Sequence, residues 1–273
     1  MTATLRDWLA AEPYTLTLGS GFFGFFGHFG VLKALLDAEL PPARLTGASS
    51  GALVASCYAS GMPVDAMQQL LFTMKREDFW DPGFGLGLLK GEKFRQQMRA
   101  TFPCTRFDGL AIPLKLSVYN RTRRCTEVIS SGDLVDAAYA SCALPILFQP
   151  LNRNGEQLLD GGVNDRPALA GVADGERVLI HHLSSKSPWR RADDPALVPP
   201  QRPNGTTLVL DGLTRTSPFK LERGPQAFAE AYATTCARLQ AAWQPLLRGP
   251  VLRGTVPRGP VQQGPALHDH LPR

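Results

Sequence analysis

Charge is scarce in this chain of 273 residues: Asp, Glu, Lys and Arg make up 19% of it and leave a formal net charge of +5 at pH 7. The excess collects at the end, where Arg248, Arg253, Arg258 and Arg273 face only Asp269. The remainder is near neutral and offers no basic footprint, which argues against a nucleic-acid partner. The cysteines are Cys57, Cys104, Cys125, Cys142 and Cys236, an odd number without a CxxC pair. That excludes the usual zinc and dithiol spacings, and a chain this long needs no disulfide staples, so a reducing compartment is expected. Long apolar runs are also missing. Nothing approaches the ~18 residues of a membrane span, and the N-terminal segment has no apolar stretch of signal-peptide length behind a basic start. A cytoplasmic protein is expected, with peripheral contact at membranes or lipid droplets left open.

What is present is enough apolar material, 44% of residues, for one substantial core. Residues 14–18 read as a short buried strand that stops at a glycine-rich run, 19–30. Val31, Leu32, Leu35 and Leu36 then recur at helical spacing up to Pro41. Residues 44–48 read as a second strand and 50–60 as a second helix. Further helices are expected over 64–74, 91–99, 134–143 and 225–243, with a long loop over 78–90. Further strands are expected over 112–119, 126–129, 157–159, 178–183 and 206–210. This alternation predicts an α/β fold of three layers, α/β/α, with a mostly parallel central sheet. Gly249, Gly254, Gly259 and Gly264 recur every five residues among prolines. The chain is therefore divided into a domain over 1–243 and a disordered tail over 244–273.

Three patterns carry chemistry. Gly47, Ala48, Ser49, Ser50 and Gly51 form GxSxG between a predicted strand and helix, the context of a nucleophile elbow. Gly47 and Gly51 remove side chains that would block so tight a turn; the plain alternative is an idle serine in a glycine turn. Gly19, Ser20 and Gly21 follow the first strand, where small residues let backbone N–H groups converge on an oxyanion. Gly19, Gly21 and Gly24 also fit the dinucleotide pattern GxGxxG, but Asp37 and Glu39 fall on a helix instead of ending the second strand, where a ribose-binding acid belongs. Asp160, Gly161 and Gly162 end a predicted strand, placing a carboxylate at the sheet's carboxyl edge, unless DGG is only a turn.

Taken in order, these segments resemble the patatin-like phospholipase family over about residues 14–183. The resemblance rests on the glycine-rich loop leading into HFGVLKAL at 28–35, GASSG at 47–51, ASCALPILFQP at 140–150, and DGGVND at 160–165 followed by Pro167. It implies a Ser49–Asp160 dyad, an oxyanion hole from the backbone of Gly19, Ser20 and Gly21, supporting roles for Gly47, Gly51, Gly161 and Gly162, and no metal or cofactor. The implied activity is acyl hydrolysis of a lipid or phospholipid. Two departures stand out: Phe22 or Phe23 occupies a place that is often basic in the family, and the stretch 21–28 is one residue longer than usual.

Phe22, Phe23, Phe25 and Phe26 crowd the loop and suit an apolar wall for an acyl chain, with burial in the core as the ordinary alternative. Two other functions stay in view. Ser49, Asp160 and then His181 or His182 follow the chain order of an α/β-hydrolase triad, and a catalytically silent lipid-binding protein would keep the same fold. His28, at a helix start, is expected to make a structural hydrogen bond.

Overall fold

A computed structural model describes residues 3–184, 191, 193–244 and 249–256. The chain opens with α1 (Leu5–Ala11), which the apolar pattern alone had not revealed. Thr4 and Asp7 cap it reciprocally, and Leu5 and Leu9 bury its inner face. β1 (Thr15–Leu18), α2 (Phe25–Asp37), β2 (Arg44–Gly47), α3 (Ser50–Ala59) and α4 (Val64–Thr73) come after it. α2 begins six residues ahead of the apolar repeat that predicted it, so Gly27 and Gly30 lie inside the helix. Gly30 belongs there for packing: a Cβ at this position would sit 2.6 Å from the Phe228 carbonyl oxygen of the helix lying across it.

Next come β3 (Gly87–Leu89), inside the expected loop, then α5 (Glu92–Thr101), β4 (Leu114–Asn120), β5 (Cys125–Ile129), α6 (Leu134–Cys142), β6 (Ile146–Phe148), β7 (Leu151–Arg153) and β8 (Glu156–Asp160). The chain finishes with β9 (Val178–His182), β10 (Gly205–Asp211), α7 (Gly224–Leu239) and β11 (Val251–Thr255). The main sheet runs β11-β10-β9-β1-β2-β4-β8-β7, with β5 also on β4, while β3 and β6 make a separate pair. Pairing is parallel from β11 through to β4 and antiparallel beyond. The predicted α/β architecture is thus present as a mixed sheet, mostly parallel and flanked by helices.

The tail reading requires correction. β11 lies beyond residue 243 yet pairs with β10 over five positions, from Thr207–Val251 to Asp211–Thr255. Its Arg253 contacts Asp211 at 2.9 Å, and Gly254 lies against Thr234 of α7. Gly249, at φ 76°, and Pro250 lead into a strand and do not mark the end of the fold. The rest of the predicted tail, 257–273, lies outside the described residues. None of the described helices is long and apolar enough to cross a membrane.

The pairing around β4 positions the site. Leu116 pairs with Gly47 on one side and Ile129 on the other, while Val118 pairs with Asp160 and Glu127. β2 and β8 therefore share the same edge of β4, end to end and pointing at one another. Asp160 reaches the carboxyl end of β2 from the opposite direction, two residues along β4 from Gly47.

Candidate active site

Ser49 sits between β2 and α3 with φ 55° and ψ −123°, a conformation that costs a non-glycine residue on the order of 1–3 kcal/mol. The surroundings enforce it. Ala48 N–H donates to the Leu18 carbonyl at 3.1 Å and Ser49 N–H to Ser141 Oγ at 3.0 Å, while Ser141 Oγ–H donates to the Ser117 carbonyl at 2.7 Å. The two elbow glycines are sites of close approach. A Cβ on Gly51 would stand 2.0 Å from the Leu18 carbonyl oxygen, and one on Gly47 2.6 Å from the Ala52 Cα. The turn is thereby wedged between β1 and the first turn of α3, leaving the Ser49 hydroxyl half-buried at the sheet's end.

That hydroxyl donates to Asp160 Oδ2 at 2.6 Å. Asp160 is 2% exposed, and its Oδ1 accepts the Gly162 N–H at 2.7 Å, which fixes the carboxylate plane. Gly161 and Gly162 admit close neighbours, since Cβ atoms there would meet the Ser117 carbonyl oxygen at 2.0 Å and Ser20 Oγ at 2.1 Å. Asp165, the second acid of DGGVND, organises the next turn by accepting from Ser117 Oγ, Leu169 N–H and Ala170 N–H.

The glycine loop adjoins this pair, but two of its expected donors are occupied. Gly19 N–H donates to the His181 carbonyl at 3.3 Å and Ser20 N–H to the Arg166 carbonyl at 2.6 Å. These bonds anchor the loop to β9 and to the segment after β8, so neither N–H can serve an oxyanion. Gly21 N–H has no hydrogen-bond partner among the described residues, nor does Ser50 N–H at the start of α3, and both residues line the cleft. Which N–H is used depends on loop pairing, which the sequence pattern does not encode.

The cleft over Ser49 and Asp160 encloses about 630 Å³ of space, part of it open to solvent. Its walls are apolar. Phe22, Phe23 and Phe25 line it, whereas Phe26 turns into the core against Phe72 and α7 and is removed from the cleft wall. Phe23 holds a left-handed backbone, φ 52°, and packs on Phe22, Phe25 and Phe79. The sequence pattern did not reveal the rest of the lining, which brings Leu53, Met74, Phe79, Phe94, Leu144, Leu147 and Phe148 from five separate segments. Cys142 is half-buried beside them, its Sγ 3.0 Å from the Ser49 carbonyl; desolvation and then the Asp160 charge hold its thiol well above the usual range, so it stays protonated.

The histidines are committed elsewhere. The Nδ1 atoms of His28 and His181 lie 2.8 Å apart in a fully buried contact, and His182 Nε2 meets the Leu197 carbonyl at 3.2 Å. None of the three hydrogen-bonds Ser49. Asp37 is likewise engaged on the surface, by Lys33 and Tyr232, at the end of α2 and far from a ribose-binding position.

Known proteins share the sequence pattern and the fold. Residues 16–171 match the family model described as patatin-like phospholipase. Among curated proteins, the chain is similar to "Neuropathy target esterase sws" of Drosophila melanogaster, 28% identical over 174 residues that cover 60% of this chain and 12% of that one. It is similar also to "Lysophospholipase NTE1" of Yarrowia lipolytica, 27% identical over 181 residues, 63% of this chain and 13% of that one. The chain thus corresponds to a small part of each relative's length. Among solved structures, VipD from Legionella pneumophila superposes with a TM-score of 0.58 at 16% identity, covering 84% of this chain and 67% of that one, a likeness of fold. Because the family model spans more than half of its length, the chain belongs to the patatin-like phospholipase family.

Proposed function

We propose that this chain hydrolyses carboxylic esters of lipids, with Ser49 as nucleophile and Asp160 as its base. The observation that carries the reading is the 2.6 Å hydrogen bond from a strained, cleft-facing serine to a buried carboxylate. Asp160 Oδ2 would take the Ser49 proton as Oγ attacks the ester carbonyl, and the tetrahedral oxyanion would be met by the N–H groups of Gly21 and Ser50. Collapse would expel the alcohol with the proton returned from Asp160. Water, deprotonated by the same carboxylate, would then release the acid.

Two features support lipid over small polar esters. The walls are almost wholly aliphatic and aromatic, so an acyl chain would be buried at about 25 cal/mol per Å² of apolar surface. The named relatives are an esterase and a lysophospholipase. The oxyanion assignment departs from the Gly19, Ser20 and Gly21 set implied by the sequence, retaining Gly21 and adding the residue after the nucleophile.

The test is labelling with a fluorophosphonate ester and peptide mass spectrometry of the product. Modification of Ser49, abolished in Ser49→Ala, is the expected result. A folded protein that hydrolyses p-nitrophenyl butyrate with Ser49 unmodified would overturn the assignment.

A further inference from the structure

Phe84, Leu86, Leu88 and Ile146 are large apolar side chains facing solvent, and they belong to one small structure. β3 and β6 pair in parallel, with Gly87 opposite Ile146 and Leu89 opposite Phe148. Alternation along the strands sends Leu89 and Phe148 inward and Leu88 outward. The loop before β3 folds back on it as a hairpin: Gly83 N–H donates to the Leu88 carbonyl at 3.0 Å and Lys90 N–H to the Asp81 carbonyl at 2.9 Å. Gln149 Nε2 ties the Phe84 carbonyl at 2.8 Å, and the Asp81 carboxylate accepts the N–H groups of Gly91 and Lys93 at the hairpin's base. The apolar tip is therefore held outward by its own hydrogen bonds.

Ile146 is the strained member of the group. Its backbone lies at φ 73°, which a β-branched residue adopts only at a cost, and its side chain is 83% exposed, so burial returns nothing. Neither backbone preference nor packing among the described residues accounts for it.

The patch is continuous with the cleft. Ile146 is followed on β6 by Leu147 and Phe148, which line the cleft over Ser49, and Phe79, which lines the same cleft, precedes Trp80. The Arg76 guanidinium lies against both Trp80 and Phe219, at 5.5 and 5.3 Å, and the two rings meet edge to face at 6.0 Å, an aromatic and cationic cluster suited to the boundary between hydrocarbon and water. We propose that Phe84, Leu86, Leu88 and Ile146 form a docking rim that inserts into a lipid surface, so that a lipid's acyl chain passes along β6 into the cleft without crossing water. This rests on the lipid-ester reading above. The rim's projecting tip carries only hydrocarbon side chains, with none of the hydrogen-bonding groups that usually give a protein interface its register, which favours a lipid surface over a folded partner.

The experiment combines Phe84→Ser/Leu88→Ser and Ile146→Ser variants with phosphatidylcholine vesicles. Full-length wild type should cosediment with the vesicles, each variant should lose at least about tenfold in partitioning, and hydrolysis of soluble p-nitrophenyl butyrate should remain at the wild-type rate. Ser49→Ala should bind as wild type does, which separates docking from chemistry: vesicle binding without ester hydrolysis removes the lipid-ester reading and leaves the rim, whereas hydrolysis without binding does the reverse. A Phe84→Trp reporter should shift its fluorescence to the blue on adding vesicles. Undiminished binding by the variants, no wild-type binding, or a rim-dependent dimer in sedimentation equilibrium without vesicle binding would each overturn the proposal.

Discussion

His28 and His181 meet Nδ1 to Nδ1 at 2.8 Å in a site without solvent, directly behind the loop whose Gly19 N–H bonds the His181 carbonyl. One Nδ1 must carry a proton and the other accept it, so the contact requires at least one neutral ring. Burial pushes His28 down to about 3, against the opposing pull of a hydrogen bond to the Gly19 backbone, and holds His181 well below the usual range. Both rings are then neutral at neutral pH and join the first strand's loop to β9.

Acid should therefore loosen the glycine loop. With the folded His28 pKa below the unfolded value, the unfolded chain binds more protons between about pH 6.5 and 3, and stability falls as pH falls through that window, by about 1.4 kcal/mol per unit; His181 acts in the same direction. His28→Gln removes one such group. Urea unfolding at pH 7.5 and pH 5 should show the wild type losing more stability than the variant, whereas equal losses would remove the pair from the acid response.

Gly51→Ala should be among the most damaging single-methyl additions, because its Cβ would stand 2.0 Å from the Leu18 carbonyl oxygen. Backbone on both sides cannot yield cheaply, and a loss of about 3 kcal/mol is expected. Gly132→Ala is the comparison. Open space surrounds that position, and only its φ of 87° is penalised, at roughly 1–2 kcal/mol. Denaturant midpoints should rank the two in that order.

Truncation at two points tests the sheet edge formed by β11. Ending the chain after Gln244 removes β11, its pairing with β10 and the Arg253–Asp211 contact, so Tm should fall by at least about 4 °C. Ending it after Val256 keeps all three, and Tm should stay above that of the shorter form by at least that margin. Equal melting of the two truncated forms would contradict the placement of β11 in the sheet.

Ser141 should act by position. It accepts the Ser49 N–H and donates to the Ser117 carbonyl, so Ser141→Ala frees the elbow's backbone without touching the Ser49 hydroxyl. We expect kcat to fall roughly tenfold, the loss associated with one unsatisfied buried N–H, with KM little changed. Ser141→Thr should restore part of the rate.

Local turn chemistry made the centre of the site legible in the sequence. GxSxG and DGG each put glycine where a side chain would collide with a close neighbour, and both are found at strand ends. Three things were hidden because they depend on pairing between distant segments: the occupation of the Gly19 and Ser20 N–H groups, the arrival of β8 head-on to β2, and β11 at the sheet's edge. The fate of Phe26 was readable only with the helix start in hand. Once α2 begins at Phe25, Phe26 and Phe29 share a helical face at i and i+3, which packs on α7. The Thr4–Asp7 capping box, by contrast, was a local signal for α1 that the apolar pattern overlooked.

Asp160 as the base for Ser49 is the assignment on which the proposed chemistry depends. Asp160→Asn preserves shape and the hydrogen bond with Gly162 but removes the proton acceptor, so kcat/KM on p-nitrophenyl butyrate should drop by at least ~10², the usual contribution of a general base. A folded Asp160→Asn protein with kcat/KM within tenfold of wild type would show that the carboxylate is part of the turn and that another group activates the serine.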